Sequence, residues 1–156
     1  MGIESKWIWF DGELVPFADA TVHVLSHTLH YGLGAFEGIR AYAQDDGVAG
    51  IWRLEDHLVR LQDSMRMIRL PLPQTNEQLT QACLDLLRAN EFSEAYIRPL
   101  AFLGFGQMGL GARSNPLHVS ISAWKWGSYM GDSGMTNGVR LKTSSFSRNH
   151  PNAAMS

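Results

Sequence analysis

The sequence predicts an α+β fold, a two-layer sandwich whose mostly antiparallel sheet carries helices on one side. Three observations predict it. Short apolar stretches with period-two alternation are joined by tight turn signals, as in hairpins. Two amphipathic helical patterns follow each other directly, with no strand between them as a parallel α/β sheet would need. The chain has 156 residues, 45% of them apolar and 18% charged, enough to bury one core without disulfides or metals.

Each element has its own local warrant. Trp7 to Phe10 is a short apolar strand, and Asp11-Gly12 turns it into Glu13-Leu14-Val15 as a hairpin. A glycine-rich segment leads into a strand from Ala35 to Tyr42. Asp45-Asp46-Gly47 turns the chain back into a strand from Val48 to Trp52. Arg53 to Arg69 is a helix with the apolar stripe Leu54, Leu58, Leu61, Met65 and Ile68, stopped by Pro71. Thr75-Asn76-Glu77-Gln78 is a capping box that opens a second helix, with Leu79, Ala82, Cys83, Leu86 and Leu87 on its buried face. Ala95 to Leu103 and Leu117 to Trp126 are two more strands. Residues 1–130 therefore form a small α+β domain, 131–138 read as a glycine-rich linker, and 139–156 start a second domain with a strand from Val139 to Phe146.

Composition narrows the function. A net charge of −2 without a long run of one sign argues against nucleic acid and against a polybasic membrane role. No apolar stretch approaches the length of a membrane span, and the first residues carry no apolar signal region. Cys83 is the single cysteine, so no intramolecular disulfide forms and a reducing cytoplasm is expected.

The richest stretch runs from His27 to Arg40. Period two puts Phe36, Gly38, Arg40 and Tyr42 on one face of its strand and Ala35, Glu37, Ile39 and Ala41 on the other. A ring, a gap and a cation in sequence suit a binding surface, because a strand glycine often marks a close approach of ligand or backbone. A sheet edge with a bulge at Gly38 is the plainer alternative. Tyr96 and Arg98 share a strand face. They form either a carboxylate fork with a hydroxyl beside it or an exposed arginine shielded by a tyrosine. Trp124 and Trp126 share a face and suit an apolar pocket, a domain interface or ordinary packing. Two attractive motifs fail. Gly104-Phe105-Gly106-Gln107-Met108-Gly109 has the dinucleotide spacing, but no helix follows to hold a pyrophosphate. It reads instead as a flexible loop with Met108 and Leu110 as apolar tips. His23, His27 and His30 lack a carboxylate or cysteine in register, so no metal site is expected.

Seven pieces occur in order: Trp9-Phe10-Asp11-Gly12, Ser26-His27-x-Leu29-His30-Tyr31-Gly32, Phe36-Glu37-Gly38-Ile39-Arg40, Tyr96-Ile97-Arg98-Pro99, Met108-Gly109, Trp126-Gly127-x-Tyr129 and Arg148-x-x-Pro151-Asn152. The ordered set resembles the branched-chain amino acid aminotransferases, over the whole chain. The resemblance implies the small N-terminal domain of a fold-type IV enzyme, with pyridoxal 5'-phosphate as cofactor. It also implies a homodimer with active sites built across subunits, and amino transfer from leucine, isoleucine or valine to 2-oxoglutarate. By position, Arg60 would bind the cofactor phosphate. Off the apolar stripe of its helix, it is free to point at an anion. Phe36, Gly38, Trp126 and Tyr129 would line the side-chain pocket, Tyr96 would hold the α-carboxylate, and Arg98 the distal carboxylate of glutamate. Tyr31, Met108 and Leu110 would reach into the partner subunit's site.

One departure accompanies the match. The family's cofactor-bearing lysine would follow shortly after the segment matching Pro151-Asn152, beyond Ser156. Lys6, Lys125 and Lys142 do not stand at that position. The expectation is the N-terminal part of the enzyme, inactive and without retained cofactor as this stretch alone. D-amino acid aminotransferase and aminodeoxychorismate lyase share the fold and are the alternatives within it. A non-catalytic module for dimerisation or carboxylate capture is the alternative outside enzymes.

Overall fold

The first hairpin forms where its turn residues ask for it. In the computed structural model of the chain, which describes residues 5–127 and 131–147, β1 (Trp7–Phe10) and β2 (Glu13–Pro16) pair antiparallel. Asp11 and Gly12 both have positive φ, 49° and 113°, as a two-residue hairpin turn requires. The chain then makes one 3-10 turn at Phe17–Asp19 and a short helix, α1 (His27–Tyr31), closed by Gly32 at φ 71°. The sequence reading placed no helix there. Five residues are too few for a 3.6-residue period to show.

The strand expected from Ala35 to Tyr42 is two strands, β3 (Gly34–Phe36) and β4 (Ile39–Ala43). Both pair with β6 (Ala95–Leu103), and the register runs unbroken from Phe36↔Leu100 to Ile39↔Ile97. No residue is inserted, so Gly38 is not a bulge. The interruption comes from the partner. Glu37 N–H donates to the Pro99 carbonyl at 3.0 Å, but Pro99 has no N–H to return, and the ladder lapses there.

β5 (Ala49–Ile51) pairs with β4, and β7 (Leu117–Trp124) lies between β6 and β1. The seven-stranded sheet has the order β2-β1-β7-β6-β4-β5, with β3 also on β6, and every pairing is antiparallel. Helices α2 (Leu54–Met67) and α3 (Asn76–Ala89) separate β5 from β6 in the chain. The capping box on α3 is complete. Gln78 N–H donates to Thr75 Oγ1 at 3.3 Å, and Thr75 N–H donates to Gln78 Oε1 at 2.9 Å.

Leu58, Leu61 and Met65 of α2 are buried, as are Leu79, Ala82, Cys83, Leu86 and Leu87 of α3. All of these but Leu61 share one core cluster with Ile39, Ala41, Ile97, Ala101, Val119, Ile121 and Ala123, which all point to one side of the sheet. Burial pushes the Cys83 thiol up to about 12, the behaviour of a packing residue. The opposite side carries Phe36, Arg40, Tyr96, Arg98 and Trp124, residues in the alternate register.

Contacts divide the chain into two units, Met1–Trp126 and Gly127–Ser156. In the second, the expected linker is helical. α4 (Gly131–Asn137) occupies it, followed by Gly138 at φ 72°, so a glycine read as linker texture stands where helices commonly stop. The expected strand from Val139 to Phe146 is irregular, because alternation alone makes no strand and no described segment pairs with it. Among the described residues, no helix is long and apolar enough to cross a membrane.

Candidate active site

Four of the expected site residues meet on the sheet face away from the helices. β3 brings Phe36, the gap after it brings Gly38, and β6 brings Tyr96 and Arg98. The Arg98 guanidinium carbon lies 4.3 Å from the centre of the Phe36 ring and 5.2 Å from that of Tyr96. Arg98 Nη2 donates to the Tyr96 hydroxyl oxygen at 2.8 Å. The phenol accepts that bond, so its own proton is left for another acceptor. Arg98 Nε is buried and has no hydrogen-bond partner among the described residues. An unmet donor beside a free phenol proton is the arrangement a carboxylate satisfies.

The need for glycine at 38 is steric. A Cβ there would overlap the Tyr96 hydroxyl oxygen, so any side chain would drive the phenol off its seat. The close approach expected at this glycine is made by Tyr96 itself. Tyr96 also packs on Trp124 and Trp126, with ring centres 4.9 and 4.6 Å away. Arg40 holds the last of these in place by donating from Nη1 to the Trp126 carbonyl at 3.0 Å. β7 ends at Trp124, short of the predicted end at Trp126. Tyr129 lies outside the described residues, as do Arg148, Pro151 and Asn152.

Arg60 stands elsewhere and is not free. Glu37, between Phe36 and Gly38, points to the helix side and takes both Arg60 Nε and Nη2, each at 2.6 Å. His57 Nδ1 donates to the same carboxylate at 2.8 Å. Burial by itself would raise the Glu37 carboxyl, but hydrogen bonds from Arg60 and His57 and their charges outweigh it and hold it below its ordinary value. The Glu37 side chain is 6% exposed and that of Arg60 66%, so the pair reaches from the core to the surface. Sequence reading had no means to find this pairing across 23 residues, although the helix periodicity did set Arg60 off the buried stripe.

Tyr31, Met108 and Leu110 gather at the far end of β6. The His27 ring is buried, stacks on Tyr31 with centres 4.4 Å apart, and its Nε2 donates to the Gly109 carbonyl at 2.8 Å. Met108 and Leu110 are exposed tips as expected, Leu110 at 93%. The loop read as flexible from its glycines is pinned at its base. The buried Asn115 side chain donates to Gly104 O and Gln107 O and accepts from Gln107 N, which fixes the base of the loop. No helix follows it, as anticipated. Of the trio His23, His27 and His30, the other two bond to local backbone: His30 Nε2 donates to Val24 O and His23 Nδ1 accepts from Leu25 N.

Sequence reasoning missed one feature of this face. A cavity of about 410 Å³ opens beside the cluster, between Phe10, Leu100, Phe102 and Ser122 of the sheet and Phe17, Val22 and Leu29. Its far wall comes from the 3-10 turn, the irregular segment after it and the short α1, all too short or irregular to show a period.

Residues 34–156 match the family model described as amino-transferase class IV. The branched-chain-amino-acid aminotransferase of Pseudomonas aeruginosa is 47% identical over 148 residues, which is 95% of this chain and 48% of that protein. Among solved structures, a branched-chain aminotransferase from Thermoproteus uzoniensis with norvaline is similar at a TM-score of 0.87 and 38% identity, over 97% of this chain and 50% of that one. The branched-chain amino acid aminotransferase of Thermobaculum terrenum, in its PLP-bound holo form, is similar at a TM-score of 0.72 and 32% identity, over 84% and 43%. The chain spans about half the length of the curated relatives it matches.

Proposed function

The chain belongs to the class IV amino-transferases, and from that premise we propose that it is the substrate-facing part of a branched-chain aminotransferase. The reaction is amino transfer from leucine, isoleucine or valine to 2-oxoglutarate with pyridoxal 5'-phosphate. The observation that carries it is the unmet Arg98 donor stacked on an apolar ring. A wall of Phe36, Tyr96 and Trp126 accepts an alkyl side chain. The Arg98 fork at its edge accepts the second carboxylate of a dicarboxylic substrate, so one surface serves both the amino donor and the amino acceptor.

The roles follow from the groups in place. Phe36 and Trp126 line the pocket and exclude water, while Gly38 leaves room for the Tyr96 phenol, whose proton is available to a substrate carboxylate. Arg60 Nη1 makes no hydrogen bond to a described residue, and that group suits a phosphate oxygen. When bound, the cofactor supplies the electron sink and carries the amino group between the two half-reactions. Tyr31, Met108 and Leu110 complete the site of a second copy in a homodimer. In this reading residues 1–130 are the small domain, 131–138 lead out of it, and 139–156 open the cofactor-binding domain. The reading is of a cytoplasmic protein, and the buried, unpaired Cys83 suits a reducing compartment.

The test is amino transfer by the protein that carries this chain. Leucine, isoleucine and valine should convert with 2-oxoglutarate and D-alanine should not. Turnover of D-alanine in preference to leucine would move the assignment to the D-amino acid branch of the same fold.

A further inference from the structure

Arg60 is an exposed side chain on α2 whose conformation would ordinarily be loose. Here it is held. The planar guanidinium offers Glu37 its Nε/Nη2 edge, both bonds at 2.6 Å, and that edge is thereby used up. Nη2 also lies 3.3 Å from His57 Nδ1, and Nη1 makes no hydrogen bond to a described residue. His57, one turn earlier on α2, clamps the carboxylate from a second direction at 2.8 Å. Glu37 is buried and its own backbone N–H is fastened to Pro99 O, so the anchor cannot follow Arg60 if Arg60 moves. Phe36 and Gly38, its neighbours in the chain, belong to the substrate wall on the other side of the sheet.

We propose that Glu37 is a positioning residue, which sets the Arg60 guanidinium so that its Nη1 group is presented, already ordered, to the phosphate of the cofactor. The inference rests on the assignment of Arg60 made above. A purely structural Glu37 would tie the lapse between β3 and β4 to α2 and nothing more. The positioning role differs in one respect: it acts only through Arg60 and only on the phosphate. Fixing a donor before its ligand arrives removes an ordering cost from binding.

The experiment titrates the apo form of the protein that carries this chain with pyridoxal 5'-phosphate and with pyridoxal, which lacks only the phosphate. Glu37→Gln should weaken pyridoxal 5'-phosphate by roughly tenfold, the lower range for loss of an outer partner that orients a binding group. Pyridoxal affinity should not change. In an Arg60→Ala background, which has already lost the preference for the phosphorylated ligand, adding Glu37→Gln should do nothing further. Equal weakening of both ligands by Glu37→Gln, or additive losses in the double variant, would overturn the positioning role and leave a structural one. If Arg60→Ala keeps the full preference for the phosphate, the assignment of Arg60 itself fails, and the inference falls with it. Should Glu37→Gln not fold, Glu37→Asp takes its place. It keeps the charge but shortens the reach, and phosphate affinity equal to that of the parent would count against the proposal.

Discussion

Glu37 is the residue on which the two sides of the sheet turn. It stands at 6% exposure with two basic partners, and its folded carboxyl lies below the ordinary value of 4.5. A group depressed in the folded state contributes stability that is present above its unfolded value and is lost as pH falls through the folded one. Denaturant unfolding against pH should therefore show a loss on the acid side, below about 4.5, that Glu37→Gln reduces. At neutral pH the same variant should cost on the order of 2 kcal/mol, the scale of hydrogen bonds to a charged group. A parallel acid limb in parent and variant would contradict this. The helical period set Arg60 off the buried stripe, and that much was legible in the sequence. What Arg60 meets was not. A pairing across 23 residues leaves no local trace, and a charged residue inside a strand looks like any exposed one until its partner is known. The glycine at 38 suggested a close approach of ligand or backbone, and the group that approaches is a side chain. It is the phenol of Tyr96, far along the chain.

At the scale of elements, the legible parts were those whose period or turn chemistry is local. The β1–β2 hairpin, the stripes of α2 and α3, the capping box and the bounds of β6 all follow from neighbours in sequence. The lapse between β3 and β4 did not, because its cause, the missing N–H of Pro99, sits on another strand. The pinning of the glycine loop was hidden for the same kind of reason. Glycines signal backbone freedom, but the Asn115 side chain removes it through three hydrogen bonds to the loop. Asn115→Ala removes three hydrogen bonds from the base of the loop and should destabilise by about 1–3 kcal/mol. Amide hydrogen exchange between Gly104 and Leu110 should speed up more than exchange in β6. Unchanged protection of the loop would show that the glycines hold their own conformation.

At the scale of the molecule, the two ends of β6 carry different surfaces. One end carries the ring and cation cluster, and the other carries Tyr31, Met108 and Leu110, which are exposed and apolar. Such surface marks a contact with another chain, and in the function proposed above that chain is a second copy. Leu110→Asp adds no strain to a side chain at 93% exposure, yet places an uncompensated charge in the contact. Sedimentation should show a dimer for the parent and a dimer weakened by at least about tenfold for the variant. A monomeric parent, or an indifferent variant, would contradict it. Neither the sheet order nor the cavity beside Leu100 could be read from sequence, since both depend on long-range pairing. The resemblance carried by the ordered motifs supplied what periodicity could not. The central claim is that one sheet face serves an alkyl and a carboxylate side chain by separate groups. The most direct test follows the cofactor's absorbance by stopped flow through the leucine and glutamate half-reactions of Arg98→Ala. Loss of one partner of a desolvated charge pair typically costs about 2–5 kcal/mol, so glutamate should slow by roughly one to three orders of magnitude and leucine by much less. Equal slowing of both would make Arg98 a structural residue of its strand and contradict the account.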